Sequence, residues 1–444
     1  MMRRIKSLSF VLAPLAALAV VFSMLAAALP ATPALAEAEL VELWHKAYDS
    51  GYADWASDVA VDSEDNIIVT GYTTNEDGNT DYYTIKYDQD GNEIWSQSYD
   101  GGNGDIAHAV AIDAEDNIIV TGSSHNATGN EMDNYYTIKY DQDGNEIWNQ
   151  SYADGKTDWA WSVAVDSQDN VIVTGDSRGG LGCDYCTIKY DKNGNEIWSQ
   201  TYMSAVVTEA FGVAVDSEDN VIVTGQSGFP LGYWHTIKYS GADGTQIWLV
   251  TYGGGGDNEG HRVALDSEGN VIITGTRQHP PYSPYSQVWD YHTIKYDNNG
   301  KEIWSKTYQN GYGNWPMGLA VDSEDNVIVT GFSSNGSTHN YYTVIYDRDG
   351  NEIGNATYDN GYGDEALGVA VDSKDNIIVT GYSTSENGNS DYYTIKYETV
   401  TAPATALAGG GSGISGGAIA GIVVGASIAG GLISYFTTRR RLAG

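Results

Sequence analysis

Cysteine is nearly absent: there are two in 444 residues, in the stretch Gly182-Cys183-Asp184-Tyr185-Cys186. With no second pair nearby, a four-thiolate zinc site is ruled against. With no βαβ pattern around the pair, so is a thioredoxin-type redox centre. What is left for Cys183 and Cys186 is a local disulfide stapling a loop, or two unpaired thiols. Cations are scarce as well, 22 Lys and Arg against 59 Asp and Glu, for a formal charge of −37. Arg3, Arg4, Lys6, Arg439, Arg440 and Arg441 lie in terminal segments that hold no acids, which leaves the body 16 cations against 59 acids, or −43. Such a surface repels phosphate backbones and anionic headgroups, which argues against a nucleic-acid partner and against docking on acidic lipid. Catalytic signatures are missing too. The chain has no G-x-S-x-G, no H-E-x-x-H and no P-loop, and its aspartates are too many for one acid–base pair to stand out. The acidity is not that of a disordered chain, because 33 Tyr, 12 Trp and 41% hydrophobic residues supply ample surface to bury.

Both ends carry export signals. Arg3, Arg4 and Lys6, an apolar run from Phe10 to Leu29 and the small-residue site Ala34-Leu35-Ala36 make residues 1–36 a signal peptide. At the other end, a Gly/Ala/Ser-rich linker (401–413) leads into 23 uncharged residues, 414–436, long enough at ~1.5 Å per residue to cross a bilayer core. Arg439, Arg440 and Arg441 in the short tail 437–444 place that tail in the cytoplasm, and the body at the cell surface. Gly413, Gly417, Gly421 and Gly425 share one face of this transmembrane helix, the spacing of helix–helix self-association. A retained anchor and a processed GlyGly-type sorting signal both fit this end of the chain.

Between the ends one phrase returns seven times, from AVDSEDNIIVTG ending at Gly71 to AVDSKDNIIVTG ending at Gly381. Its aspartates, Asp62, Asp113, Asp166, Asp216, Asp266, Asp322 and Asp372, are 51, 53, 50, 50, 56 and 50 residues apart. A second phrase, DYYTIKY at Asp81–Tyr87, also has seven copies. Each period holds four β-like runs broken by Asp/Asn/Gly turns; in the first they are 57–62, 66–72, 82–88 and 93–99. Four strands in ~50 residues, seven times over, is an all-β chain folded as a seven-bladed β-propeller across 37–400. Two residues before each phrase Asp stands Ala in all seven copies, as a crowded innermost strand requires. A third phrase, EIWSQSY, follows the first six repeats with Gly354 in place of Trp in the sixth, and its seventh copy is ELWHKAY at Glu42–Tyr48. The N-terminal strand is therefore expected to complete the last blade and close the ring.

The units GVAVDSEDNVIVTG and TIKYD-x-x-GNEIW resemble the bacterial and archaeal seven-bladed β-propeller repeat (SBBP) family over about 37–400. The resemblance implies a surface protein and leaves its chemistry unassigned. The Phe-Pro that often follows Thr-Gly in that family occurs here only at Phe229-Pro230.

Three groups of residues are candidates for function. Eight residues before each phrase Asp stand Asp54, Asp105, Asp158, Thr208, Asn258, Asn314 and Asp364, oxygen-bearing side chains suited to Ca2+ or to capping a loop. The fifth repeat breaks pattern with Arg262 on its inner strand and Arg277, His279, Tyr282, Tyr285 and Trp289 in or beside its long loop. Trp55, Trp159 and Trp315 follow the polar column and offer stacking surface to a sugar. The expectation is a non-enzymatic cell-surface module for glycan or protein partners, with no cofactor or with Ca2+. A polysaccharide-acting enzyme and a purely structural envelope protein are the alternatives.

Overall fold

The computed structural model describes residues 38–401 except 126–131, 180–181, 204–206, 229–231, 254–255, 257 and 279–287. The leader, the helix expected at 414–436 and the basic tail lie outside the described residues, as do His279, Tyr282 and Tyr285. No helix among the described residues is long and apolar enough to cross a membrane.

Among the described residues, twenty-eight strands, β1 to β28 in chain order, account for the regular structure. The first repeat shows the unit: β2 (Asp54–Val61), β3 (Ile67–Thr74), β4 (Thr80–Tyr87) and β5 (Glu93–Tyr99) form a four-stranded antiparallel meander. The inner strand begins three residues earlier than its sequence suggests, because Asp54 pairs with Thr73 across the hairpin. Four more repeats make separate sheets of the same kind. The remaining eight strands form two such sets joined by a single parallel bridge between Ala38 and Gly354. Within the last of these sets, β1 (Ala38–Tyr48) runs antiparallel to β28 (Ser390–Thr401), from the Ala38–Thr401 pair to Tyr48–Tyr392. The N-terminal strand thus supplies the fourth strand of the last set, as its sequence predicts.

Constant residues in the phrases have constant partners. The Thr of the first phrase meets the Thr of the second in every set, as in Thr70–Thr84 (2.9 Å) and Thr380–Thr394 (2.8 Å), so a hydroxyl pair is buried at no hydrogen-bond cost. The Gly after it has no room for a side chain: a Cβ on Gly71 would lie 1.9 Å from the Trp55 carbonyl oxygen. The phrase Asp receives the Lys of TIKY in a buried ion pair, Lys86–Asp62 at 2.9 Å and Lys139–Asp113 at 2.6 Å, and likewise Lys189–Asp166, Lys238–Asp216, Lys295–Asp266 and Lys396–Asp372.

The core lies between sheets rather than within them. One cluster packs Ala56, Val59, Ile67, Val69 and Ile85 of the first set against Ile378 and Tyr392 of the last. Each set also donates an aromatic hydrogen bond to the next. Tyr82 reaches the Tyr136 carbonyl (3.1 Å), Tyr135 the Cys186 carbonyl (3.1 Å), and Trp234 the Thr276 carbonyl (3.1 Å). The series returns to its start when Tyr392 donates to the Tyr83 carbonyl at 3.0 Å. A second series runs along the turn between the first two strands. There Asp116 holds the Ser63 amide (2.9 Å) and hydroxyl (2.6 Å) of the preceding set, and the last link is Ser373 to Asp65. These aspartates sit at φ near +60°, a conformation Asp tolerates better than most side chains. The position that would hold Ser217 is Gly269.

Candidate functional site

Every inner strand carries a bulge, and the bulge column is where the sets differ most. The register skips His108 between Ala107 and Ala109, Trp161 between Ala160 and Ser162, Phe211 between Ala210 and Gly212, and His261 between Gly260 and Arg262. An extra residue re-aims its side chain. The rings so placed meet across successive sets: His108 to Trp161 at 4.3 Å between centroids, Trp161 to Phe211 at 5.9 Å and Phe211 to His261 at 5.9 Å.

Next to this row opens a groove of about 480 Å3, lined by Ile106, His108, Ser123, His125, Asp133, Trp159 and Trp161, with Asn103 and Gly104 at its edge. Its indoles are fixed by carboxylates. Trp159 Nε1 donates to Asp133 Oδ2 at 2.8 Å, and Trp161 Nε1 donates to Asp176. The Arg178 guanidinium lies 4.1 Å from the Trp159 ring centroid, a cation–π contact, and is itself held by Asp176 (2.6 Å) and Glu209 (3.0 Å). Burial raises the Asp176 and Glu209 carboxyls above their ordinary range, against the opposing pull of Arg178 on Asp176 and of Gln226 and Arg178 on Glu209. His125 Nδ1 is 2.8 Å from Asp133 Oδ1. His108 is pushed down to about 3 by burial and by the charge of Arg262, so its ring is neutral at physiological pH.

Below the bulge row the inner strands of six sets line a cavity of about 180 Å3 whose charged residues are Asp58 and Arg262. Burial raises the Asp58 carboxyl and lowers the Arg262 guanidinium, and each is partly restored by the charge of the other.

The sequence candidates are scattered over the fold. Trp159 is in the groove, Arg262 in the cavity, and Trp289 and Trp315 pack on each other at 4.7 Å away from both. Trp55 is sandwiched near Tyr382 (4.3 Å) and Tyr72 (5.8 Å). Arg277 sits on the strand Val271–Gln278 opposite Asn258 and Asp290. The polar column is buried, and three of its acids hold the loops that precede them: Asp54 accepts from the Ser50 amide (2.6 Å), Asp105 from Gly101 (2.6 Å) and Asp364 from Asn360 (3.0 Å), while Thr208 donates to the Cys183 carbonyl on the third strand of the preceding set (2.6 Å). Asp54 and Asp105 belong to two separate groups of three acids. Asp158, second on its strand (Thr157–Val165), accepts from the Asp154 amide (3.3 Å), with Lys156 close by on Asp154 (2.9 Å).

Cys183 and Cys186 are unpaired. They lie three apart on one strand (Gly182–Tyr190), where alternate side chains face opposite sides, so the disulfide reading gives way to two free thiols. His108, Trp161 and Phe211 are the residues that sequence reasoning missed. Their one signal is that the bulge column takes six residue types over seven repeats.

No family model matches the chain. A stretch of 153 residues is 29% identical to an uncharacterized WD repeat-containing protein of Acanthamoeba polyphaga mimivirus, a match that takes in 26% of this chain and only 11% of that protein's length. Among solved structures, the Pan2 WD40 domain of Neurospora crassa aligns with a TM-score of 0.51 at 9% identity, over 82% of this chain and 97% of that one. The periplasmic gluconolactonase of Pseudomonas aeruginosa aligns at 0.47 and 11% identity, over 76% of this chain and 100% of that one. The polysaccharide lyase Uly1 aligns at 0.48 and 9% identity, over 78% and 90%. At such identities the likeness is of fold. Repeated four-stranded antiparallel sheets, packed face to face in sequence order, make this chain a β-propeller repeat protein.

Proposed function

We propose that the chain is a seven-bladed propeller of the SBBP repeat type, exported and anchored at the cell surface, that binds an uncharged glycan in the Trp159–Trp161 groove without chemistry. Seven blades are supported by 28 strands in sets of four. They are supported too by contacts of the inner strands in cyclic order, from β2 through those starting at Asp105, Thr157, Thr208, Asn258, Asn314 and Asp364 back to β2. Export and anchoring rest on the leader 1–36 and the apolar run 414–436. The observation that carries the binding reading is the groove itself: two half-buried indoles anchored by carboxylates, with Ser123, His125 and Asp133 as polar neighbours. Apolar ring faces beside a few fixed polar groups are the composition of a small-ligand site. A body charge near −43 disfavours acidic polysaccharides.

A glycan array probed with the purified protein, followed by titration of the best ligand, tests this. Trp159→Ala should weaken binding at least tenfold, with Tyr312→Ala, an exposed ring elsewhere, as the unchanged control. Equal binding by Trp159→Ala removes the groove from consideration, and capture of proteins but no glycans moves the reading to a protein partner. The His125–Asp133 pair favours a second reading, a polysaccharide-acting enzyme with His125 as the proton acceptor. Polysaccharide turnover that disappears in His125→Ala would replace the binding reading with that one.

A further inference from the structure

Two neighbouring seams between sheets gather three carboxylates each, in the same arrangement. At one seam Asp81 is the second residue of a third strand, Asp100 follows the fourth strand of that set, and Asp105 opens the inner strand of the next set. At the other seam Asp391, Asp49 and Asp54 occupy the same three positions. Within each group one carboxylate oxygen from each acid lies within 4.8 Å of the other two. A calcium ion bound at about 2.3–2.6 Å spreads its ligand oxygens over that range.

Hydrogen bonding inside the protein does not satisfy these groups. Asp105 is fully buried, and its Oδ1 has no hydrogen-bond partner; Asp81 and Asp391 are half-buried residues whose Oδ1 atoms are likewise buried and unpartnered. A buried, unpartnered carboxylate oxygen is costly, and three acids together multiply the cost. Asp158 Oδ1 and Asp364 Oδ1 are also buried without a partner, but among the described residues no full set of three acids meets at their seams. Where Asp81 has its counterpart in Asn134, the place of Asp100 is taken by Ala153, and a lysine, Lys156, lies 2.9 Å from Asp154. At the seam of Asp359 and Asp364 the third position is Asn340. Asp184, Met203 and Thr208 follow each other at another. Among the described residues, all three positions are acidic at these two seams alone.

We propose that each of these two seams binds one calcium ion, held by Asp81, Asp100 and Asp105 at the first and by Asp49, Asp54 and Asp391 at the second. The ion joins the third strand of one set to the loop and inner strand of the next, so it ties sheets together as well as neutralising charge. The carboxyls are consistent with this: burial, then the neighbouring acids, raises Asp391 to about 6 and lifts Asp105 above its ordinary range. The inference stands apart from the glycan groove and does not depend on it.

The full chain, stripped with chelator, is titrated with Ca2+ by calorimetry and with Tb3+ by luminescence sensitised through nearby tyrosines such as Tyr82 and Tyr392. Two equivalents are expected. Asp81→Asn should leave one, and the pair Asp81→Asn with Asp391→Asn should leave none, each with an unchanged far-UV circular dichroism spectrum. Asp90→Asn, in an exposed hairpin turn, should keep two. Ca2+ should raise the melting temperature of the unmutated chain and not that of the double variant, while Mg2+, which demands a tighter octahedral shell, should do neither. Fewer than two equivalents in the unmutated chain, or two in the folded double variant, overturns the proposal.

Discussion

Gly354 lies against Ala38: a Cβ on Gly354 would stand 2.6 Å from the Ala38 carbonyl oxygen. Other fourth strands carry Trp at this place, and its indole N–H reaches a hairpin carbonyl in the next set, as Trp44 reaches Gln89 (3.1 Å) and Trp304 reaches Arg348 (3.1 Å). The Lys of TIKY shares that carbonyl, as Lys396 does with Gln89 (3.4 Å) and Lys295 with Arg348 (3.2 Å). The last set has no such hairpin, because its third and fourth strands come from opposite ends of the body. With the acceptor gone, the sixth set has lost both donors: Lys is Ile345, Trp is Gly354, and β1 begins in the space.

Restoring the Trp should therefore harm the protein. Gly354→Trp puts an indole where β1 starts, and overpacking of this kind costs about 1–3 kcal/mol. Urea unfolding should show the loss, with no comparable loss for a substitution at exposed Ile303. A stable Gly354→Trp variant would mean that the Ala38 bridge contributes nothing to closure.

The series of Ser–Asp links has one gap, and the gap can be filled. No atom lies within 4 Å of a Cβ built on Gly269, so Gly269→Asp has room to reach Ser217, as Asp116 reaches Ser63. Asp116→Gly should lower unfolding stability by about 1 kcal/mol, the net worth of a hydrogen bond, and Gly269→Asp should raise it by up to a similar amount. Thermal melts of both variants would decide; an unstable Gly269→Asp would show that the positive φ outweighs the link.

How much of this was legible follows from what the repeats share. Four strands per period and the donated N-terminal strand could be read because seven copies displayed them. The change at Gly354 was also in view, though its pairing with Ile345 and its meaning needed the partner carbonyls. The groove was not legible. Ser57, His108, Trp161, Phe211, His261, Met317 and Leu367 follow no common pattern, and strict alternation puts this column on the wrong face until the bulge is known. Asp81 and Asp391 escaped notice for another reason: their acidic neighbours come from other strands and, in part, from the next set.

Stability should peak in mildly acidic solution when calcium is removed. Asp62, Asp113, Asp166, Asp216, Asp266 and Asp372 are buried, yet their Lys and Asn partners outweigh burial and hold them below the ordinary carboxylate range. The stability they contribute is present above the unfolded value near 3.9 and is lost as pH falls through their lower folded values. Asp158 and Asp391 behave oppositely. Burial raises both to about 6, so the folded state binds their protons more tightly and stability declines as pH rises from about 4 through 6. Calorimetric melting temperatures in chelator should pass through a maximum at about pH 4–5. A steady rise from pH 4 to 8 contradicts this account.

The thiols should be inert. Burial raises Cys183 to about 11 and Cys186 to about 12, which leaves little thiolate at neutral pH. Iodoacetamide at pH 8 should leave the native chain unlabelled over a period in which the urea-unfolded, unreduced chain takes two labels. No labels on the unfolded chain would mean a disulfide after all.

The donated strand also sets an order in time. β1 is the first part of the body to be made, yet its partner β28 is the last. Until residue 401 has emerged, the first strand has no sheet to join, and the last set has an open edge that can pair with another chain. On the proposed export from the N-terminus, the strand that arrives first must wait for the whole body to follow it.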